Sequence, residues 1–223
     1  MPQHPSLAVS QMPGPFGQPI RRLEDQALLK GEAKFADDIS MPHLGQAAFV
    51  RSPYAHARIL NIDVSGAKNL QGVIAVLTLP DLQNILTDNY LSVGMPSKDY
   101  KQVRNRPILA TQEVCHVGEP IAVVIAKNRY VAEDAVSLVN IEYEGLPISV
   151  DAEEAAKPDS PLAHSDANDN ILAQFSMGYG NIEAAFSSAP VKISERFFVH
   201  KGLGMALEGR GVVSEYDPGK DIL

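Results

Sequence analysis

The side chains that could do chemistry in this chain are few and scattered. Six histidines stand at His4, His43, His56, His116, His164 and His200. No two have the i, i+4 spacing that sets paired imidazoles on one helical face for a metal, so they are expected in packing or surface roles. The single cysteine, Cys115, excludes an internal disulfide framework, a four-cysteine zinc site and a cysteine-held iron–sulfur cluster within the chain. A nucleophilic Cys115 would need a base and an orienting group. Nothing in the sequence singles either out, and a small buried thiol is expected instead.

Gly202-Leu203-Gly204 lacks the third glycine and the strand-to-helix context of a dinucleotide fingerprint, and Gly178-Tyr179-Gly180 reads as a turn before a helix. In Glu208-Gly209-Arg210 the two charges are two apart, which on a strand puts them on one face, ready for a structural ion pair. Arg51-Ser52-Pro53 closes a strand at a rigid corner, its guanidinium free to reach carbonyls or a carboxylate. No Ser/His/Asp set, carboxylate dyad or phosphate loop appears. No catalytic, cofactor-binding or metal-ligating residue is therefore assigned.

Composition narrows the class. The 223 residues are 45% hydrophobic and 21% charged, enough to bury a core. Nineteen basic against 27 acidic residues give a net charge of −8, with no Lys/Arg stripe for phosphates, so nucleic acid is excluded as a partner. No run of about 18 apolar residues could cross a membrane. Residues 1–19 hold five prolines and no apolar stretch, and read as a flexible extension. Arg21-Arg22 runs into Leu23-Glu24-Asp25-Gln26, acidic where an export signal requires an apolar run. A cytoplasmic location is expected.

The elements that must position these residues follow from periodicity. Strands are expected over 44–51 and over 57–64, the latter with Ile59 and Asn61 on one face and Leu60 and Ile62 on the other. A short helix over 65–70, capped by Ser65 and ended by Gly72, leads to the apolar run 73–78, which suits a strand buried on both faces. Strand, helix, strand reads as a βαβ unit. Residues 82–105 read as a long surface excursion of the kind that carries a function or a partner contact. A second buried strand over 121–126 weakly resembles 73–78. A helix capped by Asn128 follows, running to about Asn140 with Ala132, Ala135, Val136 and Val139 on one face, and then a strand over 141–144. These give one mixed α/β domain over 20–150.

Residues 151–170 are rich in Asp, Glu, Ala, Pro and Ser and read as a linker with a short helix at 151–157. A strand over 171–178, a helix over 182–188 begun by Asn181, and strands over 191–199 and 209–216 follow. The turn Asp217-Pro218-Gly219-Lys220 then starts a ribbon whose second arm has only three residues. The expectation is a piece of a longer polypeptide, or a ribbon that another chain completes.

Taken in order, the motifs resemble a known family. They are Arg22-Leu23-Glu24-Asp25 with Leu29-Lys30-Gly31; Phe35-Ala36-Asp37-Asp38-Ile39; Ala48-Phe49-Val50-Arg51-Ser52-Pro53-Tyr54-Ala55-His56-Ala57; Gly72-Val73; Val117-Gly118-Glu119-Pro120-Ile121; Arg129-Tyr130 with Ala132-Glu133-Asp134-Ala135; and Glu142-Tyr143-Glu144-Gly145-Leu146-Pro147. This series is similar to the molybdopterin-binding large subunit of the xanthine dehydrogenase and aldehyde oxidase family, especially its carbon monoxide dehydrogenase-like large chains. The resemblance implies an α/β (α+β) fold: an α/β hammerhead domain over 20–150, a linker over 151–170, and the incomplete start of a molybdopterin-binding domain over 171–223. Met205-Ala206-Leu207-Glu208-Gly209-Arg210-Gly211 resembles that domain's opening strand, although Ala206-Leu207 stand where the family has Pro-Met and Gly180-Asn181 where it commonly has Gly-Asp.

The family's cofactor loops and catalytic glutamate match no residue here. The resemblance therefore implies scaffold and interface for hydroxylation of an aldehyde or N-heterocycle carbon with water as oxygen source. Molybdenum–molybdopterin would be bound only in the full assembly, with a C-terminal molybdopterin-binding polypeptide, an FAD subunit and an iron–sulfur subunit as partners. The rival reading is a stand-alone α/β interaction module that uses the 82–105 excursion.

Overall fold

The computed structural model describes residues 17–92, 94, 97–200, 202, 204–206 and 208–223. Most of the expected N-terminal extension, and Leu203 and Leu207 within the two motifs above, lie outside them. The chain divides into two compact units: His43–Phe197, and the described parts of Met1–Pro42 with Phe198–Leu223.

The first of these carries two antiparallel sheets. Strands β1 (Gln46–Arg51), β2 (Ala57–Asp63) and β3 (Val73–Thr78) come early in the chain. The short β4 (Tyr90–Leu91), β5 (Arg106–Pro107) and β6 (Glu113–Val114) come next, and β7 (Pro120–Ala126) and β8 (Asn140–Gly145) last. One sheet has the order β1-β7-β3 and the other β6-β2-β8, with β4 and β5 forming a small ribbon. Strand β7 earns its central place from its composition. Ile121, Ala122, Val124 and Ala126 are all buried, so it faces a core on either side.

The strand–helix–strand stretch is not a βαβ unit. Strands β2 and β3 belong to different sheets, and every pairing of the two large sheets is antiparallel. Nor is 73–78 buried on both faces: β3 is an edge strand and its Ile74 is 65% exposed. The two look-alike runs, 73–78 and 121–126, are pairing partners. The alternation expected for β2 is reset by a bulge. Ile59 pairs with Tyr143 and Asn61 with Glu142, which leaves Leu60 as the extra residue. Leu60 is exposed, and Ile62 rejoins Ile59 in one apolar cluster with Ala57, Ala110, Val114 and Ile121.

Helix α2 (Ser65–Lys68) is shorter than expected, and Ser65 is not its cap: the Asp63 carboxylate accepts the Ser65 N–H at 2.9 Å. Helices α3 (Leu79–Leu82) and α4 (Arg129–Val136) follow. Helix α4 starts where expected, because the Asn128 side-chain oxygen accepts the Val131 N–H at 2.9 Å, satisfying one of the free donors of the first turn. Ala132 and Ala135 are its buried residues, and Ala135 with Val136 packs into the second cluster, around Val50, Ala67, Val76, Ala122 and Val124. The alanines let the helix approach the sheet closely.

Helix α5 (Ala152–Ala155) is capped by Asp151, and α6 (Ile182–Ser188) by Asn181, which accepts the Ala184 N–H at 3.0 Å. The expected strands over 171–178, 191–199 and 209–216 do not form. Of the first only the bridge between Ala173 and Tyr100 exists, and of the terminal ribbon only the bridge between Asp217 and Ile222. Their apolar side chains are strand-patterned, but no neighbouring strand among the described residues accepts their ladder hydrogen bonds, and an unpaired strand is not stable by itself. In the other compact unit, helix α1 (Asp25–Lys30) ends on Gly31 at φ 71°, the left-handed geometry that glycine supplies. The Glu208 carboxylate there accepts the Ala36 N–H at 2.6 Å.

Candidate functional site

A cleft of about 980 Å³ opens in the His43–Phe197 unit. Its walls come from three stretches: 102–107 after the excursion, 111–119 around β6, and the polar stretch 163–172. The corner after β1 braces the middle wall. Ser52 N–H donates to Glu119 O at 2.9 Å, Gly118 N–H donates to Ser52 O at 2.8 Å, and Arg51 donates to Gly118 O at 2.9 Å. The arginine of Arg51-Ser52-Pro53 thus reaches a carbonyl, and it also lies 5.3 Å over the Phe49 ring. Gly118 turns at φ 85°, a region open to glycine, and this aims Glu119 inward.

The polar groups of the cleft form one network. Glu119 is 4% exposed and accepts the Cys115 N–H at 2.6 Å. His56, at the mouth of β2, is 6% exposed and sits between two acceptors, Pro147 O at 2.6 Å and a Glu113 oxygen at 2.7 Å. Since a carbonyl can only accept, the ring nitrogen facing Pro147 carries a proton. The other nitrogen faces the Glu113 oxygen. The same Glu113 oxygen accepts the Ser165 N–H at 2.9 Å. Burial works to raise the Glu113 carboxyl, but the Ser165 N–H and His56 outweigh it and hold it below the ordinary carboxylate range. The stability tied to this shift is present above the unfolded carboxyl pKa and is lost as pH falls through the lower folded value.

Sequence reasoning found no base for Cys115, yet the fold supplies a neighbour. Its sulfur lies 3.2 Å from His164 Nδ1 and 3.6 Å from Glu113, joining residues 49 apart in the chain. No local spacing signals that pairing, because it depends on how 163–172 folds back. The pair is nonetheless not an activated nucleophile. Burial first, then the Glu113 and Glu119 charges, push the Cys115 thiol up to about 12, so it stays protonated at neutral pH.

Among the described residues, no group of three or more His, Cys, Asp or Glu side chains is placed to hold a metal. The cleft's four carboxylates are already engaged: Glu113 and Glu119 as above, Asp166 by Arg104 at 2.6 Å, and Asp169 by Lys101 at 3.1 Å. The cleft can therefore fix three chain segments together. Among the described residues it presents neither an activated nucleophile nor a metal cage. Glu208 and Arg210 do not share a strand face, and no ion pair joins them among the described residues.

Residues 30–147 match the family described as aldehyde oxidase and xanthine dehydrogenase, a/b hammerhead domain. The gamma subunit of the 6-hydroxypseudooxynicotine dehydrogenase complex of Paenarthrobacter nicotinovorans is 36% identical over 210 residues, which cover 93% of this chain and 26% of that protein. The carbon monoxide dehydrogenase large chain of Afipia carboxidovorans is 35% identical, with 88% of this chain and 25% of that protein covered. Among solved structures, quinoline 2-oxidoreductase from Pseudomonas putida 86 superposes with a TM-score of 0.67 at 32% identity, over 77% of this chain and 21% of that one. The aldehyde oxidoreductase of Desulfovibrio gigas gives 0.66 at 26% identity, over 76% and 19%. The chain spans about a quarter of the length of these curated relatives.

Proposed function

Because the chain belongs to the aldehyde oxidase and xanthine dehydrogenase family, we propose that it is the N-terminal, hammerhead-bearing portion of a molybdenum hydroxylase large subunit, and serves as scaffold and interface. The carrying observation is the hammerhead match over residues 30–147 in a chain a quarter the length of its relatives. On this reading residues 20–150 are the hammerhead, 151–170 connect it onward, and 171–223 begin a molybdopterin-binding domain. The whole enzyme would oxidise an aldehyde, an N-heterocycle or a similar small molecule in the cytoplasm, taking oxygen from water. An FAD subunit and an iron–sulfur subunit would carry the electrons away.

The described residues do not fit the molybdenum–pterin group. The cleft's carboxylates are spent on internal donors, and its thiol stays protonated. No reaction step is assigned to this chain, and it is expected to be inactive by itself. A C-terminal molybdopterin-binding polypeptide would supply the catalytic residues.

Purification of the untagged chain from its source, with molybdenum analysis and mass spectrometry of what co-elutes, tests the reading. The expected result is molybdenum together with a larger polypeptide. A chain that elutes without either overturns it.

A further inference from the structure

The 82–105 excursion is too long for an idle loop, and hammerhead scaffolding leaves it without a role. Its second limb ends on the polar stretch after Lys157. Tyr100 bridges Ala173, Lys101 N–H donates to Leu172 O at 3.0 Å, and Gln174 N–H donates to Asp99 O at 3.0 Å. Gln102 is the centre of the contact. Its amide nitrogen reaches Asp169 O at 2.8 Å, Asp169 Oδ1 at 3.2 Å and Ile171 O at 3.1 Å, while its amide oxygen accepts from Arg104 at 2.9 Å. Two ion pairs flank it, Lys101–Asp169 and Arg104–Asp166, and the Glu113 carboxylate holds the Ser165 N–H from the other side.

We infer that the excursion is a latch: its limb Asp99–Arg104 grips residues 165–174 and fixes the path by which the chain leaves the hammerhead sheets. The grip differs in kind from the core. It is made of polar bonds between half-exposed side chains, with Asp166 80% exposed at its rim, and none of its residues belongs to either apolar cluster. Regions held this way open locally, at lower free energy than the global unfolding of buried strands. The sheets, in contrast, are closed by apolar burial around β7. The latch therefore opens without melting the sheets, and when open it loosens residues 165–174. Screening by salt weakens its two ion pairs but not the bonds of Gln102 to the Asp169 and Ile171 carbonyls, so Gln102 is the bolt.

Amide hydrogen exchange on the 223-residue chain, read by mass spectrometry, tests this. In Gln102→Ala, protection of Lys101, Ile171 and Gln174 is expected to fall by about tenfold or more, with β7 amides unchanged. Arg104→Gln should give a smaller loss at the same amides, deepened by raising the salt. Two results overturn the proposal: unchanged exchange at those amides, or a parallel loss in β7, which would make the contact part of the core. The outcome does not depend on what polypeptide co-purifies with the chain.

Discussion

At the scale of single residues, the cleft inverts the usual reading of a cysteine beside a histidine. His164 is close enough to take a proton, but Glu113, Glu119 and Asp166 surround the sulfur with negative charge, and burial removes water. With a thiol pushed up to about 12, roughly one molecule in ten thousand is thiolate at pH 8, against about a quarter for an unperturbed cysteine. The stronger nucleophilicity of a more basic thiolate recovers part of that loss. Disulfide reagents are therefore expected to react roughly fifty- to hundredfold more slowly with the native chain than with the same chain in denaturant, a ratio that stopped-flow absorbance gives directly. Equal rates would mean that the carboxylates do not hold the sulfur in this environment. The sign for stability follows. The folded thiol keeps its proton where the unfolded one loses it, so this contribution is whole below the unfolded pKa. It drains away as pH rises from there toward about 12.

At the scale of elements, the two asparagine caps were legible, whereas the Ser65 cap was not realised. Asn128 and Asn181 each precede an apolar periodic run, and each accepts a first-turn N–H as its side chain predicts. Asn128→Ala should cost about 1 kcal/mol in urea denaturation, leaving the slope unchanged. A cost near zero would show that burial of Ala132 and Ala135 sets the start of α4 unaided. Partnership between strands was not legible. The runs over 57–64 and 73–78 have strand composition, but nothing local says that they join different sheets, because β7 and β8, which decide it, lie some 40 residues or more further on. The same gap explains the bulge at Leu60, which no alternation pattern announces. It also explains why 191–199 and 209–216 read as strands and are not: propensity names a strand, but only a neighbour's hydrogen bonds make one. The candidate cleft was invisible for the related reason that its walls are three segments brought together by the turn back at 163–172.

At the scale of the whole molecule, one run of chain leaves many apolar side chains exposed. Val191, Ile193, Phe197, Phe198 and Val199 are each more than 70% exposed, and Ile182 and Phe186 of α6 are well exposed just before them. Exposed apolar stretches of this extent mark contact surfaces. The chain is expected to bind a hydrophobic dye such as anilinonaphthalene sulfonate, and Phe197→Ser with Phe198→Ser should remove about half of that fluorescence or more, with the circular dichroism unchanged. Fluorescence that survives the double change would place the apolar surface elsewhere.

The order of the sheets has a further consequence, during synthesis. Strands β1, β2 and β3 leave the ribosome first, yet each of the large pairings waits for β7 or β8, between Pro120 and Gly145. At about 5–20 residues per second, the hundred residues from β1 to the end of β8 take roughly five to twenty seconds. During that interval the uncharged run Val73–Thr78 is exposed with its backbone unpaired, the state in which such runs stick to one another. The nascent chain is thus most in need of a chaperone before β7 and β8 have emerged, and a stall with residues 80–120 at the tunnel exit would endanger it more than one after β8 is out.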